Sequence, residues 1–123
     1  MENYTQSGRR LHWDADFLFD QQRHGTACHL YGLAAECSIK AFIQTQPGDR
    51  QAPHKHLPDL IDDARRLLGG RTRAHLLNVI SAPGFMAGWS IGNRYWSDAC
   101  FTAAQCAKYR ADSRKVLACI NPL

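Results

Sequence analysis

HGTACHLYGLAAECSIKAFIQTQ, residues 24–46, is the segment against which we expect the rest of this 123-residue chain to pack. It contains no proline, and its apolar residues recur at steps of three and four, the spacing of one face of an α-helix. Further apolar residues widen that face until little of the helix is polar, and such a helix is usually buried. We therefore predict a central helix at 26–46. Its apolar residues are Ala27, Leu30, Leu33, Ala34, Ala35, Cys37, Ala41, Phe42 and Ile43.

Two charged residues interrupt this apolar helix. Glu36 and Lys40 are four residues apart, in the order that favours an ion pair along a helix. A charge is costly to bury unless it is paired. We expect the pair either to point out through a gap between helices or to belong to a binding site.

A first helix is predicted at about Gly8–Arg23, with Ser7 as its cap, after a flexible lead-in at residues 1–7. Trp13 and Phe17 are expected to extend its buried face. Gly25 then offers a break, because glycine accepts the left-handed conformation that ends helices. Thr26 can cap the central helix. A connection this short predicts that the two helices run antiparallel.

Three more helices are predicted after the central one. Pro47-Gly48-Asp49 ends the central helix, and HLPDLIDDARRLLGG (56–70) has an amphipathic stripe that stops at Gly69-Gly70. A short helix follows at about Thr72–Ser81, and a last one, capped by Ser97, at about Asp98–Ile120. No segment shows the alternation of a β-strand. The prediction is one all-α domain, residues 1–123: an up-and-down antiparallel bundle of four to five helices, with an aromatic-rich loop, APGFMAGWSIGNRYW (82–96), before the last helix.

Composition excludes several classes of protein. Apolar residues make up 45% of the chain and charged residues 21%, which is typical of a globular domain. No apolar run approaches the ~20 residues that a membrane span needs, and the N-terminus has no apolar segment after its charges, so we expect a cytoplasmic protein. The five cysteines include no CxxC pair and are expected in the core; no metal and no cofactor is predicted. The net charge of +4 permits an anionic partner such as RNA.

The segment HLYGLAAECSIKAFI (29–43) resembles the signature helix of HEPN domains, the helical modules of higher eukaryotes and prokaryotes named for nucleotide binding. In that family a helix of the form A-x-x-L-x-x-L-A-x-E-x-x-L-K-A precedes a loop and a segment that begins with His-Leu. HLPDL (56–60) resembles that segment, and Arg94-Tyr95 resembles an arginine–tyrosine element ahead of the last helix. The residues that match the signature helix are Leu30, Ala34, Glu36, Lys40 and Ala41.

The resemblance implies a helical bundle that is commonly a homodimer and that occurs in toxin–antitoxin, RNA-processing and defence systems. It implies RNA or nucleotide as ligand, and an antitoxin or a nucleotidyltransferase as partner protein. Many members are ribonucleases in which four to six residues separate an arginine from a following histidine. The histidine acts as acid or base while the arginine stabilises the phosphate. No histidine follows Arg94 here. We therefore predict a non-catalytic or weakly catalytic module and assign no catalytic residue; a metal-independent endoribonuclease is an alternative.

The candidate ligand site is a polar pocket that would receive a nucleotide or an RNA phosphate. Its predicted residues are His29, Glu36, Lys40, Arg94 and Tyr95. Each has a structural alternative: Glu36 could pair with Arg94 across the bundle, and His29 could be a hydrogen-bonded core histidine. The alternative function, from a different class, is a homodimerising helical protein–protein interaction module.

Overall fold

A computed structural model describes residues 1–46, 51–68 and 73–120, and within these ranges the chain forms α-helices and two short 3₁₀-helices but no β-strand. The predicted all-α, single-domain helical bundle is confirmed. Pro47-Gly48-Asp49 and Gly69-Gly70, the predicted ends of two helices, lie outside the described residues. None of the described helices is long and apolar enough to span a membrane. The helices are α1 (Tyr4–Asp20), α2 (His24–Gln44), α3 (Asp59–Leu67), α4 (Ala74–Ile80) and α5 (Ala103–Ile120), with 3₁₀-helices at Ile91–Tyr95 and Asp98–Cys100.

Helix α2 is the centre of the bundle. Helices α1, α3 and α5 and both 3₁₀-helices pack on it, so it is buried nearly all round, as its composition predicts. Tyr31, Ile39 and Ile43 are its largest fully buried side chains. The approach of α1 is close, because a Cβ atom added at Gly8 would lie 2.5 Å from Ser38 Oγ.

The first helix begins four residues earlier than predicted. Asn3, not Ser7, is its cap, and the Asn3 side chain accepts a hydrogen bond of 3.0 Å from the Gln6 N–H. The prediction for Trp13 and Phe17 is wrong: both side chains are 66% exposed. They lie on the side of α1 that faces away from α2, because Gly8, His12 and Ala15 occupy the buried side.

The turn between α1 and α2 forms at Gln22 rather than at Gly25. Gln22 adopts the left-handed conformation, with φ of 62°, and its N–H donates to Phe19 O while the Arg23 N–H donates to Leu18 O, both at 2.9 Å. These two bonds form the Schellman arrangement that closes a helix C-terminus. Gly25 consequently lies in the first turn of α2, where an added Cβ would be 3.1 Å from the Phe101 ring.

The aromatic-rich loop folds back onto the bundle with Phe85 and Trp89 buried, whereas Tyr95 and Trp96 at its end are exposed. Trp89 is buried against α2, and its Nε1–H donates to Cys28 O at 3.1 Å. Met86 is also buried, and its backbone N–H donates to the buried Asp112 carboxylate of α5 at 2.9 Å. The loop is thus tied to both long helices, and it positions the 3₁₀-helix that follows.

The last helix begins five residues later than predicted. Ser97 does act as a cap, but of the 3₁₀-helix Asp98–Cys100, where its Oγ accepts from the Ala99 N–H at 3.3 Å. The chain is then extended at Phe101, and Thr102 Oγ1 accepts from the Gln105 N–H at 3.0 Å at the start of α5. This break directs the segment containing Phe101 toward the first turn of α2.

Candidate functional site

A pocket of about 150 Å³ lies between the first two turns of α2 and the two 3₁₀-helices. It brings together two of the predicted site residues, His29 of α2 and Arg94 of the first 3₁₀-helix. Its walls include one basic side chain, Arg94, and one acidic side chain, Asp98. The lining residues are Gly25, Thr26, His29, Asn93, Arg94, Trp96, Asp98 and Phe101.

A second pocket, of about 250 Å³, adjoins the first. Both share one wall, formed by Gly25, Thr26, Asp98 and Phe101. From there the second pocket continues around the start of α2 to the turn at residues 22–24. We call the two pockets together the α2 groove. The residues that only the second pocket adds are Gln22, Arg23 and His24.

Two histidines of the α2 groove have buried ring nitrogens that lack a hydrogen-bond partner among the described residues: His24 Nδ1 and His29 Nδ1. The His29 ring stacks on Trp89, with centroids 5.8 Å apart and planes 16° from parallel. Burial lowers the pKa of His29, and the charges of Arg94 and His56 lower it further. His29 is therefore a neutral imidazole at neutral pH, placed by Trp89 and left with hydrogen-bonding capacity.

Arg94 and its neighbours make the opposite wall cationic and aromatic. Arg94 Nη1 donates to Ile91 O at 2.6 Å, and its guanidinium carbon lies 4.4 Å from the centroid of the Tyr95 ring. Tyr95 is 78% exposed and Trp96 is 50% exposed. Trp96 lies 6.3 Å from Phe101, with the ring planes tilted by 32°. The guanidinium of Arg94 is thus fixed by Ile91 and Tyr95 and lies beside exposed aromatic rings.

The 3₁₀-helix that carries Arg94 is itself fixed by a buried amide. The Asn93 side chain donates from Nδ2 to Gly88 O at 3.0 Å and accepts from Ser90 Oγ at 2.7 Å. Asn93 is 2% exposed, so both bonds are shielded from water. Asn93 therefore connects the groove wall to the aromatic-rich loop.

Glu36 lies outside the groove lining and has neither predicted partner, Lys40 or Arg94. Its Oε1 accepts from the Leu57 backbone N–H at 2.8 Å, and its Oε2 accepts from His56 Nδ1 at 3.0 Å. Glu36 is buried, so these bonds satisfy a carboxylate that would otherwise be costly. Its role in the structure is to tie the segment entering α3 to α2.

Lys40 is also outside the groove lining. It is buried, and its Nζ lies 5.7 Å from the centroid of the Tyr4 ring. The structure therefore brings His29, Arg94 and Tyr95 to one region and places Lys40 on the side of α2 that faces α1. Lys40 contributes to the contact between the two helices.

Sequence reasoning missed the aromatic wall formed by Trp96 and Phe101, and the polar residues Thr26 and Asp98 beside it. Trp96 had a usable signal, because it ends the aromatic-rich loop directly after Arg94-Tyr95. Phe101 had none, since the predicted last helix continued through it. The prediction of Thr26 as the cap of the central helix is wrong, because α2 begins at His24 and Thr26 lies in its first turn.

A Ser–His–Asp arrangement lies in the interior, away from the groove. His12 Nδ1 and Ser113 Oγ are hydrogen bonded at 2.8 Å, and His12 Nε2 lies 3.5 Å from Asp16 Oδ2. The Tyr31 hydroxyl donates to Asp16 Oδ1 at 2.5 Å. Ser113 is 0% exposed, so no substrate reaches its hydroxyl. We interpret the arrangement as a buried polar connection among α1, α2 and α5.

The buried histidines predict that acid destabilises the protein. Burial is the main cause that lowers the pKa of His12, and Arg114 and Arg110 lower it further while Asp16 opposes them. Because the unfolded chain then binds more protons, the free energy of unfolding should be constant above pH ~6.5 and fall below it, as the unfolded histidines become protonated.

Urea denaturation of the wild type and of His12→Gln between pH 5 and 8 tests this expectation. The variant should be less stable at pH 8 and should lose less of its stability on acidification. If the free energy of unfolding falls equally with pH in both proteins, the protonation of His12 is not linked to stability.

Comparison of the chain with protein-family models, with curated proteins and with solved structures found no match. The function must therefore be inferred from the chemistry of the α2 groove and from the sequence resemblance. Arg94 belongs to both, because it lines the groove and is part of the Arg94-Tyr95 element of the resemblance.

Proposed function

We propose that this protein is a HEPN-like domain that binds a nucleotide or single-stranded RNA in the α2 groove, without catalysis or with weak catalysis. One observation carries the proposal. The held guanidinium of Arg94 and the unpartnered imidazole of His29 line the same groove as two aromatic rings, Trp96 and Phe101. A guanidinium binds a phosphate well, and an aromatic ring stacks on a base.

The phosphate would bind at the first turn of α2. The first turn of α2 contains no acidic residue, and no side chain caps it. The unpaired N–H groups and the dipole of a 21-residue helix favour an anion there. Arg23 and Arg94 stand on either side of this turn.

The base would stack on the exposed aromatic surface. Trp96 is half exposed, and its ring centroid lies 6.3 Å from that of Phe101. Stacking of a base on an aromatic ring is tolerant of sequence, since every base has a π-face. The Asp98 carboxylate, which lines both pockets, can accept hydrogen bonds from ribose hydroxyls. We therefore expect affinity for single strands with little sequence preference.

Binding to labelled single-stranded RNA, measured by fluorescence anisotropy at about 50 mM salt, tests the proposal. Arg94→Ala and Trp96→Ala should each weaken binding by about tenfold or more, because a phosphate contact or a stacked base is lost. Arg65→Ala is the matched control, since Arg65 is an exposed arginine on α3 that contacts Ser81. Affinity of the wild type should fall steeply with salt.

The proposal fails if the wild type binds neither the RNA nor mononucleotides at low salt. It also fails if Arg94→Ala and Trp96→Ala bind as well as Arg65→Ala does. Gel analysis of the same RNA covers the alternative of a metal-independent endoribonuclease. Cleavage that His29→Ala and Arg94→Ala both abolish would favour it, because these are the imidazole and guanidinium of the groove.

The resemblance supports a biological setting for this activity, a toxin–antitoxin or defence pair with an antitoxin or a nucleotidyltransferase as partner. The second candidate function is a homodimerising interaction module. Two exposed aromatic side chains of α1, Trp13 and Phe17, favour it. They belong to a different part of the molecule from the α2 groove, so the two functions are compatible.

A further inference from the structure

A further pocket, of about 430 Å³, lies between α4, the start of the aromatic-rich loop and the middle of α5. It shares no lining residue with the α2 groove, so the nucleic-acid binding proposed above does not use it. Its volume lies within the ~300–1,000 Å³ that is usual for small-molecule sites. We call it the α4–α5 pocket, and its chemistry indicates what it binds.

Part of the α4–α5 pocket is apolar and fixed by the fold. Phe85 belongs to the hydrophobic core and is 7% exposed, and Val79 is half-buried and packs against the same core. Ala82, which is between them in sequence, is exposed and also lines the pocket. An apolar group that covers these side chains would remove their surface from water, which favours binding.

One side of the pocket is closed by a bridge from α5 to the loop. Lys108 Nζ donates to Gly84 O at 3.1 Å and to Asp112 Oδ2 at 2.6 Å. The Asp112 carboxylate is buried, and Lys108 compensates its charge. Because Lys108, Gly84 and Asp112 all line the pocket, this bridge limits the length of the ligand that it can hold.

Lys115 supplies the pocket with a second positive charge. It is exposed and lines the pocket, and its ammonium has no hydrogen-bond or ion-pair partner in the part of the chain that the structure describes. The side chains of His75 and Asn78 line the same pocket and likewise have no partner among those residues. An ammonium, an imidazole and an amide in one pocket can together bind a carboxylate, which accepts hydrogen bonds at both of its oxygens.

We propose that the α4–α5 pocket binds a small organic acid, a monocarboxylate with an apolar body. The apolar body lies on Val79 and Phe85, and the carboxylate binds Lys115. The ligand carries one negative charge, because Asp112 would repel a second. Nucleic acid does not suit this pocket, since the buried Phe85 ring leaves too little surface for a base to stack on.

A peptide is a poorer match to the same pocket. A bound helix needs a groove that receives apolar anchors from successive turns, whereas α4 has only seven residues and the Lys108 bridge closes one side. An extended peptide needs the free edge of a sheet, and the described ranges contain no β-strand. A free small acid is therefore the occupant that the geometry favours. The inference is independent of nucleotide binding in the α2 groove.

Titration of the ¹⁵N-labelled full chain with octanoate and with 3-phenylpropionate, followed by amide chemical shifts, tests the proposal. At least one acid should produce saturable shifts at Val79, Phe85 and Lys115, and none at Gly25 of the α2 groove. The alcohol of the same carbon skeleton should bind about tenfold more weakly than the acid, because it lacks the charge that Lys115 binds.

Two variants test the role of charge in the pocket. Lys115→Gln should weaken binding of the acid about tenfold and leave binding of the alcohol unchanged. Ala82→Glu, which adds a negative charge at an exposed position of the pocket, should also weaken binding of the acid. Arg10→Gln is the matched control, since it removes a positive charge from an exposed position on α1.

The proposal is overturned if neither acid produces saturable shifts. It is also overturned if Lys115→Gln binds the acid as tightly as Arg10→Gln does, or if the alcohol binds as tightly as the acid, since the positive charge would then contribute nothing. If neither acid binds but the peptide acetyl-Glu-Leu-Leu-Glu-amide shifts the same amides, the pocket is a protein contact site and the proposal is wrong.

Discussion

Replacing Gly32 by alanine should lower the free energy of unfolding by about 3 kcal/mol, near the upper end of the usual cost of overpacking a core. A Cβ atom at this position of α2 would lie 1.9 Å from Cε2 and 2.0 Å from Nε1 of Trp89. Atoms cannot approach so closely, so either the indole ring or the helix must move. Alanine has the higher intrinsic helix propensity, which makes the expected loss entirely a packing effect.

Trp89 cannot move without further losses. Its Nε1–H donates to Cys28 O in the core, and its ring stacks on His29. A displaced indole would therefore leave a buried donor unpaired, at a cost of about 1–3 kcal/mol. It would also shift His29 and with it one wall of the α2 groove, so Gly32→Ala should weaken nucleic-acid binding as well as stability.

Urea denaturation measures the free energies of unfolding of Gly32→Ala and of the control Gly84→Ala against that of the wild type. An added Cβ at Gly84 meets only the flexible end of Lys108, at 3.9 Å, so this control should change stability by no more than about 0.5 kcal/mol. The variant Trp89→Ala removes all three ring atoms that the methyl group of Gly32→Ala would strike. The double variant Gly32→Ala/Trp89→Ala should therefore lose less than the sum of the two single changes. Equal stability of Gly32→Ala and Gly84→Ala would contradict the packing argument.

The position of Gly32 shows where sequence-based prediction ends. The apolar spacing of residues 24–46 is enough to predict a buried central helix, because helical periodicity can be read within the segment itself. Nothing local distinguishes Gly32 from Gly25, yet one admits a tryptophan ring from 57 residues away and the other lies against Phe101. Gly25 was predicted to be the turn residue on propensity alone, and Gln22 took that role because its backbone hydrogen bonds close α1.

For the candidate site, too, the sequence predicts which residues share a helix but not which residues pack against them. Periodicity could identify His29 and Glu36 as residues of one helix but could not show what packs on them. The partner of Glu36 proved to be His56, across a loop whose course the sequence does not specify. Arg94 does line the groove with His29, but the wall completed by Phe101 depends on a helix break that only the folded chain reveals.

The contact between Glu36 and the segment before α3 leads to the second large effect. Glu36→Ala should lower the free energy of unfolding by about 3 kcal/mol, because hydrogen bonds to a charged group contribute about 1.5–3 kcal/mol and a buried donor is left unpaired. That donor is the Leu57 backbone N–H, which is buried with its side chain. His56 would lose its partner too, but it is half exposed and can bond to water.

The variant Glu36→Gln separates the contribution of the hydrogen bond from Leu57 from that of the negative charge beside His56. Its amide oxygen can still accept from the Leu57 N–H, so the variant should lose only about 1 kcal/mol, the part that depends on the negative charge beside His56. The variant His56→Asn tests that part alone and should cost no more than Glu36→Gln. Hydrogen exchange supplies the local readout: the Leu57 amide should exchange much faster in Glu36→Ala than in Glu36→Gln. Equal stability and equal exchange in the two variants would mean that the carboxylate does not hold the entry to α3, and the attachment would then have to come from the burial of Leu57 and Leu60.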